Sequence, residues 1–210
     1  MKEIDINSWK RKEHFNFFRN MDYPHFNISF EIDITGFADV LKKNNLPFYY
    51  TMIYFSTAAA NETEEFKYRI RDNRVILHDV LHPSFTDMRK DDDLFKFITA
   101  EMKSSLTDFL NETAGKAASQ KEFFRLHDLQ GRDDFIFYTS IPWISFTQLS
   151  HTISFNKNDS VPRLSWGKYF NQDNRIILPY SVQVNHCFAD GIHIAKFKDK
   201  LESMLNNYKF

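Results

Sequence analysis

The sequence is poor in residues that cross-link or interrupt a chain. Its single cysteine, Cys187, excludes an internal disulfide and a zinc site built from cysteines. With 5 glycines, 6 prolines and no linker-like stretch, a single domain over residues 1–210 is expected. No apolar run approaches the length of a membrane span and the opening residues lack a signal-peptide core, so we expect a cytoplasmic protein with no membrane partner.

No charge of one sign dominates the sequence. The 27 basic and 28 acidic residues are intermixed, for a formal net charge of −1, so no nucleic-acid partner is expected. Aromatic residues, in contrast, are abundant, with 23 Phe, 9 Tyr and 3 Trp. Wide, flat side chains in such number favour a thick core and aromatic-lined pockets.

Hydrophobic periodicity predicts interleaved helices and strands. Apolar and polar residues alternate over residues 26–34, which indicates a half-buried strand, and a polar turn at 72–74 indicates a hairpin. This pattern predicts an α/β fold, a two-layer sandwich in which helices cover a mixed sheet. The predicted helices are 9–19, with Ser8 as its cap, 36–45, 49–61, 92–110, 116–124 and 192–205, and the predicted strands are 26–34, 67–71, 75–78, 135–139, 144–156, 162–170 and 175–186.

A histidine lies where the last predicted strand gives way to a turn. His186 follows the apolar run at 176–184 and precedes the last predicted helix, and such a junction is a common place for a catalytic group. A neutral imidazole, with an ordinary pKa of about 6.5, can take a proton from a hydroxyl or a thiol at neutral pH. Gly191 permits a tight turn after it. The pattern therefore indicates a candidate general base.

The neighbours of His186 have structural interpretations as well. Asp190 can cap the last helix or form a buried ion pair, and both are favoured over direct catalysis because its carboxylate lies past the turn. Cys187 is adjacent to His186 in an extended stretch, so their side chains point to opposite faces and cannot form a nucleophile–base pair. A metal site would need these side chains and His193, a set without a recognised ligand spacing, so no metal is expected.

Four separated segments resemble one known family. Residues 9–18 are similar to that family's opening helix, Trp-x-Arg-x-x-His-Phe followed by an aromatic pair, and 139–146 to its Ser-x-x-Pro-Trp-x-Ser-Phe segment. Residues 167–169 are similar to a Gly/Ala-Lys-Tyr element, and 178–193 to its His-x-x-x-Asp-Gly signature, except that Asn185 replaces a first histidine. The chain thus resembles the chloramphenicol acetyltransferases, which are coenzyme A-dependent acyltransferases.

The resemblance implies a trimeric antibiotic-resistance enzyme with active sites at the subunit boundaries. It would move the acetyl group of acetyl-CoA, its co-substrate, to a primary hydroxyl of chloramphenicol or a similar antibiotic. His186 would be the general base. Thr139 stands where the family has a serine that donates to the oxyanion, and Asp190 would pair with Arg11 and so support the turn beneath His186.

The same resemblance implies positions for the two substrates. Trp143 and Tyr169, which sequence alone more often places in a core, would line the coenzyme tunnel. Lys168 would lie near the tunnel, and Ser165 stands where the family has a threonine that holds a water.

The departures from the family fall where the acceptor should bind. Phe18 replaces a tyrosine, Phe137 replaces a polar residue, and 149–151 replaces a Phe-Asn-Leu-like stretch. The residues expected to contact the acceptor are Phe17, Phe18, Phe137 and Leu149. Loss of one hydrogen bond weakens binding by only about 0.5 to 1.5 kcal/mol, so chloramphenicol remains the leading acceptor.

Two other functions fit the same motif. The catalytic core of a dihydrolipoamide acyltransferase shares His-x-x-x-Asp-Gly and would use a different acceptor, but this sequence shows no lipoyl-bearing domain. A non-catalytic homologue that binds the drug is the other alternative. Replacement of His186 would distinguish an enzyme from a drug-binding homologue, because the enzyme would lose its activity and the homologue would still bind the drug.

Overall fold

The computed structural model describes residues 1–90, 92–153 and 155–208, except the side chain of residue 126. The helices of this part of the chain are α1 (Lys12–Arg19), α2 (Thr35–Asn44), α3 (Phe48–Asn61), α4 (Leu106–Ser119), α5 (Leu126–Leu129) and α6 (Gly191–Asn207), with a short 3₁₀ helix at Glu64–Phe66. The strands are β1 (Lys2–Ile4), β2 (His25–Asp33), β3 (Tyr68–Arg71), β4 (Arg74–Leu77), β5 (His82–Met88), β6 (Phe95–Thr99), β7 (Phe135–Ile141), β8 (Arg163–Gly167), β9 (Phe170–Gln172) and β10 (Arg175–Asn185).

The main sheet is mixed, as predicted. Its strand order is β2-β10-β8-β7-β5-β6, with β9 paired to β10. The pairs β5–β7 and β7–β8 are parallel and the other pairs are antiparallel. The long strand β10 pairs with β2 over nine residues, from Ile177 opposite Asp33 to Asn185 opposite His25. The residue after β10, His186, is thereby held at one end of the sheet.

Helices cover one face of this sheet and form the core with it. Even-numbered residues of β10 are buried against α3 and α6, and Tyr180 contacts the ring of Phe197. Alternate side chains of a strand point to opposite faces, so its odd-numbered residues, among them Ser181 and Gln183, lie on the other face. These polar residues are also buried. One face of β10 is therefore apolar and the other is a buried polar layer.

The polar layer is covered by the segment between β7 and β8. Its backbone meets β10 side chains directly: the His151 N–H donates to Gln183 Oε1 at 3.2 Å, and Asn185 Nδ2 donates to the carbonyl of Asp159 at 3.0 Å. Strand 144–156 was predicted here. That prediction is wrong over the described residues, which are irregular apart from a bend at 147, because the backbone of the segment bonds side chains of β10 and not a neighbouring strand. Residue 154 lies outside the described part.

A second, three-stranded sheet with order β1-β4-β3 packs near α1. The hairpin β3–β4 was predicted and is confirmed. Trp9 packs at a tilt against Tyr68 of β3 and against Phe188 of the turn after β10, and Phe15 stacks on Phe188. This aromatic cluster attaches α1 to the turn that carries His186.

Several predicted boundaries differ. The helix predicted at 9–19 begins at Lys12, and Ser8 bonds Asp5 instead of capping it. The helix predicted at 92–110 is wrong, since β6 pairs there with β5, a strand that periodicity missed. Helix α4 starts after its cap Ser105, runs through Gly115 and ends at Ser119, so the helix predicted at 116–124 is misplaced. At 95–99 pairing with β5 overrides the local pattern.

Candidate active site

Three contacts fix the imidazole of His186. Its backbone N–H donates to the carbonyl of Pro24 at 2.7 Å, just before β2. Its ring stacks on Phe18 at a centroid distance of 3.9 Å and an interplanar angle of 11°, and packs on Phe26 at 4.4 Å. The Phe18 side chain, which lacks the hydroxyl of a tyrosine, thus serves as a flat support for the ring.

The two ring nitrogens of His186 have different surroundings. Nδ1 is buried and lies 3.1 Å from Oδ1 of Asp190, although the angles there do not make a hydrogen bond. Nε2 makes no hydrogen bond to the described residues and is not buried, and 32% of the side chain is exposed. Nε2 is therefore the nitrogen that an incoming hydroxyl can reach.

Arg11 binds the turn that carries His186 through four hydrogen bonds. Its two terminal nitrogens each donate to Asp190 at 2.6 Å, and it also donates to the carbonyl oxygens of His186 (2.9 Å) and Cys187 (2.8 Å). Such bidentate, charge-assisted bonds are the strong kind. They hold the pKa of Asp190 below its usual value. The ion pair that the resemblance implies is thus present, and it braces the turn from beneath.

The rest of the turn is satisfied locally. Asn185 Oδ1 accepts from the Cys187 N–H at 2.9 Å, which closes the turn. Asp190 occupies the N-cap position of α6, and its N–H donates to His193 Nδ1 at 2.8 Å. Cys187 is buried, and burial raises the pKa of its thiol to about 11. It is a packing residue of the small aromatic cluster.

A large cavity of about 960 Å³ opens elsewhere on the sheet. Five of the predicted site residues line it: Thr139, Trp143, Phe137, Lys168 and Tyr169. Aromatic side chains that the sequence analysis did not assign to the site, Tyr49, Phe95, Phe97, Phe123 and Phe124, form much of its remaining wall. Only the alternation of Phe95 and Phe97 could have indicated them, and it was interpreted as part of a helix.

The wall that carries Trp143 depends on a close approach between two segments. The N–H of Lys168 donates to the carbonyl of Ile144 at 2.9 Å, and Ser145 Oγ donates to the carbonyl of Lys168 at 2.6 Å. A Cβ at position 167 would lie 2.6 Å from the Ile144 oxygen, so only glycine fits there. Trp143 and Tyr169 are both more than half exposed and are not core residues.

The remaining predicted residues lie outside the cavity lining. Ser165 is fully buried, and its hydroxyl lies 2.8 Å from Nε2 of His151, a cavity residue within the stretch 149–151 that departs from the family. Leu149 is half-buried, and its carbonyl accepts from Ser181. Phe17 is 64% exposed beside Phe18.

His186 and Thr139 do not meet within one chain. Thr139 lies opposite Ser165, which lies opposite Ser181 on β10, and His186 follows the end of that strand. At about 3.3 Å per residue and about 4.8 Å per strand, the two side chains are separated by roughly 16 Å along the sheet and roughly 10 Å across it. The turn and the cavity are thus two separate parts of one subunit.

The described residues contain no group of three or more His, Cys, Asp or Glu side chains that could hold a metal ion. Among the same residues, no helix has the length and apolar character needed to cross a membrane.

Comparison with solved structures defines the class of the fold. The chain superimposes on a probable dihydrolipoamide acetyltransferase from Listeria monocytogenes with a TM-score of 0.68 and 18% identity, covering 99% of this chain and 95% of that one. A chloramphenicol acetyltransferase structure gives a TM-score of 0.90 at 27% identity, over 97% of this chain and 100% of that one. The fold is therefore that of coenzyme A-dependent acyltransferases.

Sequence comparison narrows the class to a family. The chloramphenicol acetyltransferase family model matches residues 1–202. Chloramphenicol acetyltransferase 2 of Haemophilus influenzae is 32% identical, over 97% of this chain and 96% of its own length. A chloramphenicol acetyltransferase of Clostridium perfringens is 31% identical, over 98% of this chain and 95% of its own length. This chain belongs to the chloramphenicol acetyltransferase family.

Proposed function

We propose that this chain transfers the acetyl group of acetyl-CoA to a primary hydroxyl of chloramphenicol or a similar antibiotic. The observation that carries the proposal is the imidazole of His186, stacked on Phe18, with Nε2 accessible and the turn beneath it bound by Arg11. A reaction between a hydroxyl and a thioester needs a general base more than it needs a metal. Acetyl-CoA is available in the cytoplasm, where we place the enzyme.

His186 is the general base of the proposed reaction. Nε2 takes the hydroxyl proton as the acceptor oxygen attacks the thioester carbonyl, and then returns it to the departing thiolate of coenzyme A. The Asp190 carboxylate, 3.1 Å from Nδ1, stabilises the imidazolium that forms between these two steps. General-base catalysis of this kind contributes roughly 10²- to 10⁴-fold. Arg11 and Asp190 position the ring and do not touch the substrates.

Thr139 is the proposed donor to the oxyanion of the tetrahedral intermediate. A threonine hydroxyl donates the same bond as a serine, although its methyl group restricts the rotamer. Its place in the cavity wall lets it reach a thioester bound along Trp143, Lys168 and Tyr169. Phe137 in the same wall, and Phe17 and Phe18 beside His186, are the proposed acceptor contacts.

The separation of His186 and Thr139 supports a site completed by a second copy. A homotrimer with cyclic symmetry would place the turn of one subunit over the cavity of the next. The side chains that such contacts could cover are Phe17, Trp143, Ile144 and Phe155, each at least 60% exposed in the single chain. We propose that the enzyme is a homotrimer with three active sites at its subunit boundaries.

The acceptor is tested by incubating the purified protein with acetyl-CoA and chloramphenicol and following free thiol. Thiol release that needs chloramphenicol and exceeds that of His186→Ala supports the proposal. Chloramphenicol binding without release would identify a drug-binding homologue. Release with dihydrolipoamide but not with chloramphenicol would identify an acyltransferase with a different acceptor.

The boundary site is tested by mixing two inactive variants. His186→Ala and Thr139→Val each destroy one half of every site, but a mixed trimer brings an intact His186 against an intact Thr139. After co-refolding at equal amounts, about a quarter of the sites should be intact, with activity to match. Light scattering checks the trimer. Mixed samples that stay inactive would contradict a site shared between neighbouring subunits.

A further inference from the structure

A second imidazole, that of His151, lies in the wall of the cavity beside the Thr139 strand. The segment that carries it crosses the polar face of the main sheet, where its N–H donates to Gln183 Oε1. Its ring is held by Ser165, whose Oγ lies 2.8 Å from Nε2. None of the steps proposed above uses this side chain.

One ring nitrogen of His151 remains open to a ligand. Nδ1 makes no hydrogen bond to the described part of the chain, yet it is not a buried atom. Within that part, buried side-chain polar atoms without a hydrogen bond occur only in His25, Thr113, Gln183 and His186. Because His151 lines the cavity, a molecule bound there can reach Nδ1.

The imidazole of His151 is uncharged at neutral pH. Burial lowers its pKa to about 4, and the neighbouring Arg163 acts in the same direction. Arg163 is itself paired with Asp159 at 2.6 Å, and both side chains are largely buried. A neutral imidazole has one donor and one acceptor nitrogen. This wall therefore offers hydrogen bonding without a free charge.

We propose that His151, held by Ser165, is a hydrogen-bonding subsite for an uncharged polar group of the acceptor, such as an amide, a nitro group or a second hydroxyl. The inference rests on the proposed function and states what part of the acceptor this wall recognises. Ser165 lies opposite Thr139, about 5 Å away on the neighbouring strand. An acceptor whose reacting hydroxyl lies near Thr139 can thus extend to His151, which sets specificity and takes no part in the proton transfer.

Amide substitutions test the two ring nitrogens separately. Asparagine places its amide near the position of Nδ1, glutamine near that of Nε2, and leucine has neither. With saturating acetyl-CoA, the KM for chloramphenicol should rise about 3- to 10-fold in His151→Leu and His151→Gln, as expected for one ordinary hydrogen bond, with kcat within about twofold. His151→Asn should stay within about twofold of the wild-type KM.

Two controls separate recognition from structure. His127→Leu makes the same change at a side chain that is 76% exposed and does not line the cavity, and it should leave KM unchanged. The KM for 3-phenylpropan-1-ol, a primary alcohol with no second polar group, should be the same in all variants. An unchanged KM for chloramphenicol in His151→Leu, or a fall in kcat alone, would overturn the subsite.

Calorimetry distinguishes failure of the subsite from failure of the proposed function. Chloramphenicol binding to His186→Ala is measured with and without the His151 substitutions. If the wild-type chain shows no turnover but the Kd depends on His151, acetyl transfer alone would be overturned. Turnover that is indifferent to His151 would count against the subsite alone, and a chain that neither binds nor acetylates chloramphenicol would overturn both.

Discussion

The turn after β10 and the wall of the cavity differ in the contacts that hold their side chains. The turn around His186 is closed by contacts from its own chain: Arg11 binds it from below, Phe18 and Phe26 hold the ring, and Asn185 satisfies its backbone. The cavity wall is largely aromatic, with a few polar groups and exposed side chains such as Trp143. Residues of the cavity wall can thus be substituted without disturbing the preorganised base in the turn.

The largest effect is expected from a substitution that removes the general base and leaves the structure of the turn intact. His186→Ala should lower kcat/KM for chloramphenicol acetylation by roughly 10²- to 10⁴-fold, because the general base is lost. The melting temperature should stay close to that of the wild type. Thiol release and a thermal melt measure both quantities. His14→Ala, at an exposed histidine of α1, is the matched control. A loss of less than about tenfold would exclude His186 as the base.

Replacement of Thr139 tests the proposed oxyanion donor in the cavity wall. Thr139→Val keeps the shape and removes the hydroxyl, so kcat should fall roughly 10²- to 10³-fold with little change in KM. Thr139→Ser restores the donor and should keep kcat within about tenfold of the wild type. Steady-state kinetics separates the two parameters. A fully active Thr139→Val would show that the oxyanion has another donor.

Replacement of Arg11 tests how much its contacts with the turn around His186 stabilise the fold. Arg11→Ala removes four hydrogen bonds and leaves the Asp190 carboxylate without its partner, so the free energy of unfolding should fall by about 2 to 5 kcal/mol. Urea unfolding measures it. Arg74→Ala, which breaks an exposed pair with Glu3, should cost less than about 1 kcal/mol. Equal losses in the two variants would contradict a special role for Arg11.

The smallest expected effect is on the pH dependence of stability, and it comes from His25. His25 is 6% exposed, neither ring nitrogen has a hydrogen bond to the residues that the structure describes, and burial lowers its pKa to about 4. The unfolded chain binds a proton near pH 6.5 and the folded chain does not, so stability falls as pH drops from about 6.5 towards 4. In His25→Leu this loss should be smaller by about 1 to 2 kcal/mol at pH 5, measured by urea unfolding. An identical pH profile would show that His25 is not the titrating group.

The parts of this fold that could be predicted from the sequence are those whose signals are local. The alternation of β2, the hairpin β3–β4 and the apolar stripe of α6 each arise within one segment, and all three are found. Strands β5 and β6 were missed, because their stability comes from each other and from β7 and not from their own composition. The segment 144–156 was mistaken for a strand because its polar and apolar residues alternate at 144–147 and again at 153–156.

The same division holds for the candidate site. His186 and its turn could be identified from seven consecutive residues, since motif, strand end and helix start all lie together in the sequence. The environment of His151 could not, because nothing near it in the sequence indicates that Ser165 would hold its ring and Gln183 its backbone N–H. Side chains brought together from distant strands leave no local periodicity.

The sequence by itself determined the family, the mixed α/β architecture and the histidine most suited to proton transfer, because these depend on residue order and short-range pattern. Tertiary structure alone decided that Arg11 also bonds the carbonyls of His186 and Cys187, that Thr139 lies in a cavity away from His186, and that His151 stands in that cavity uncharged. Each of these depends on distance and burial across the sheet. Those quantities arise only when the strands pair and the segment between β7 and β8 closes over their polar face.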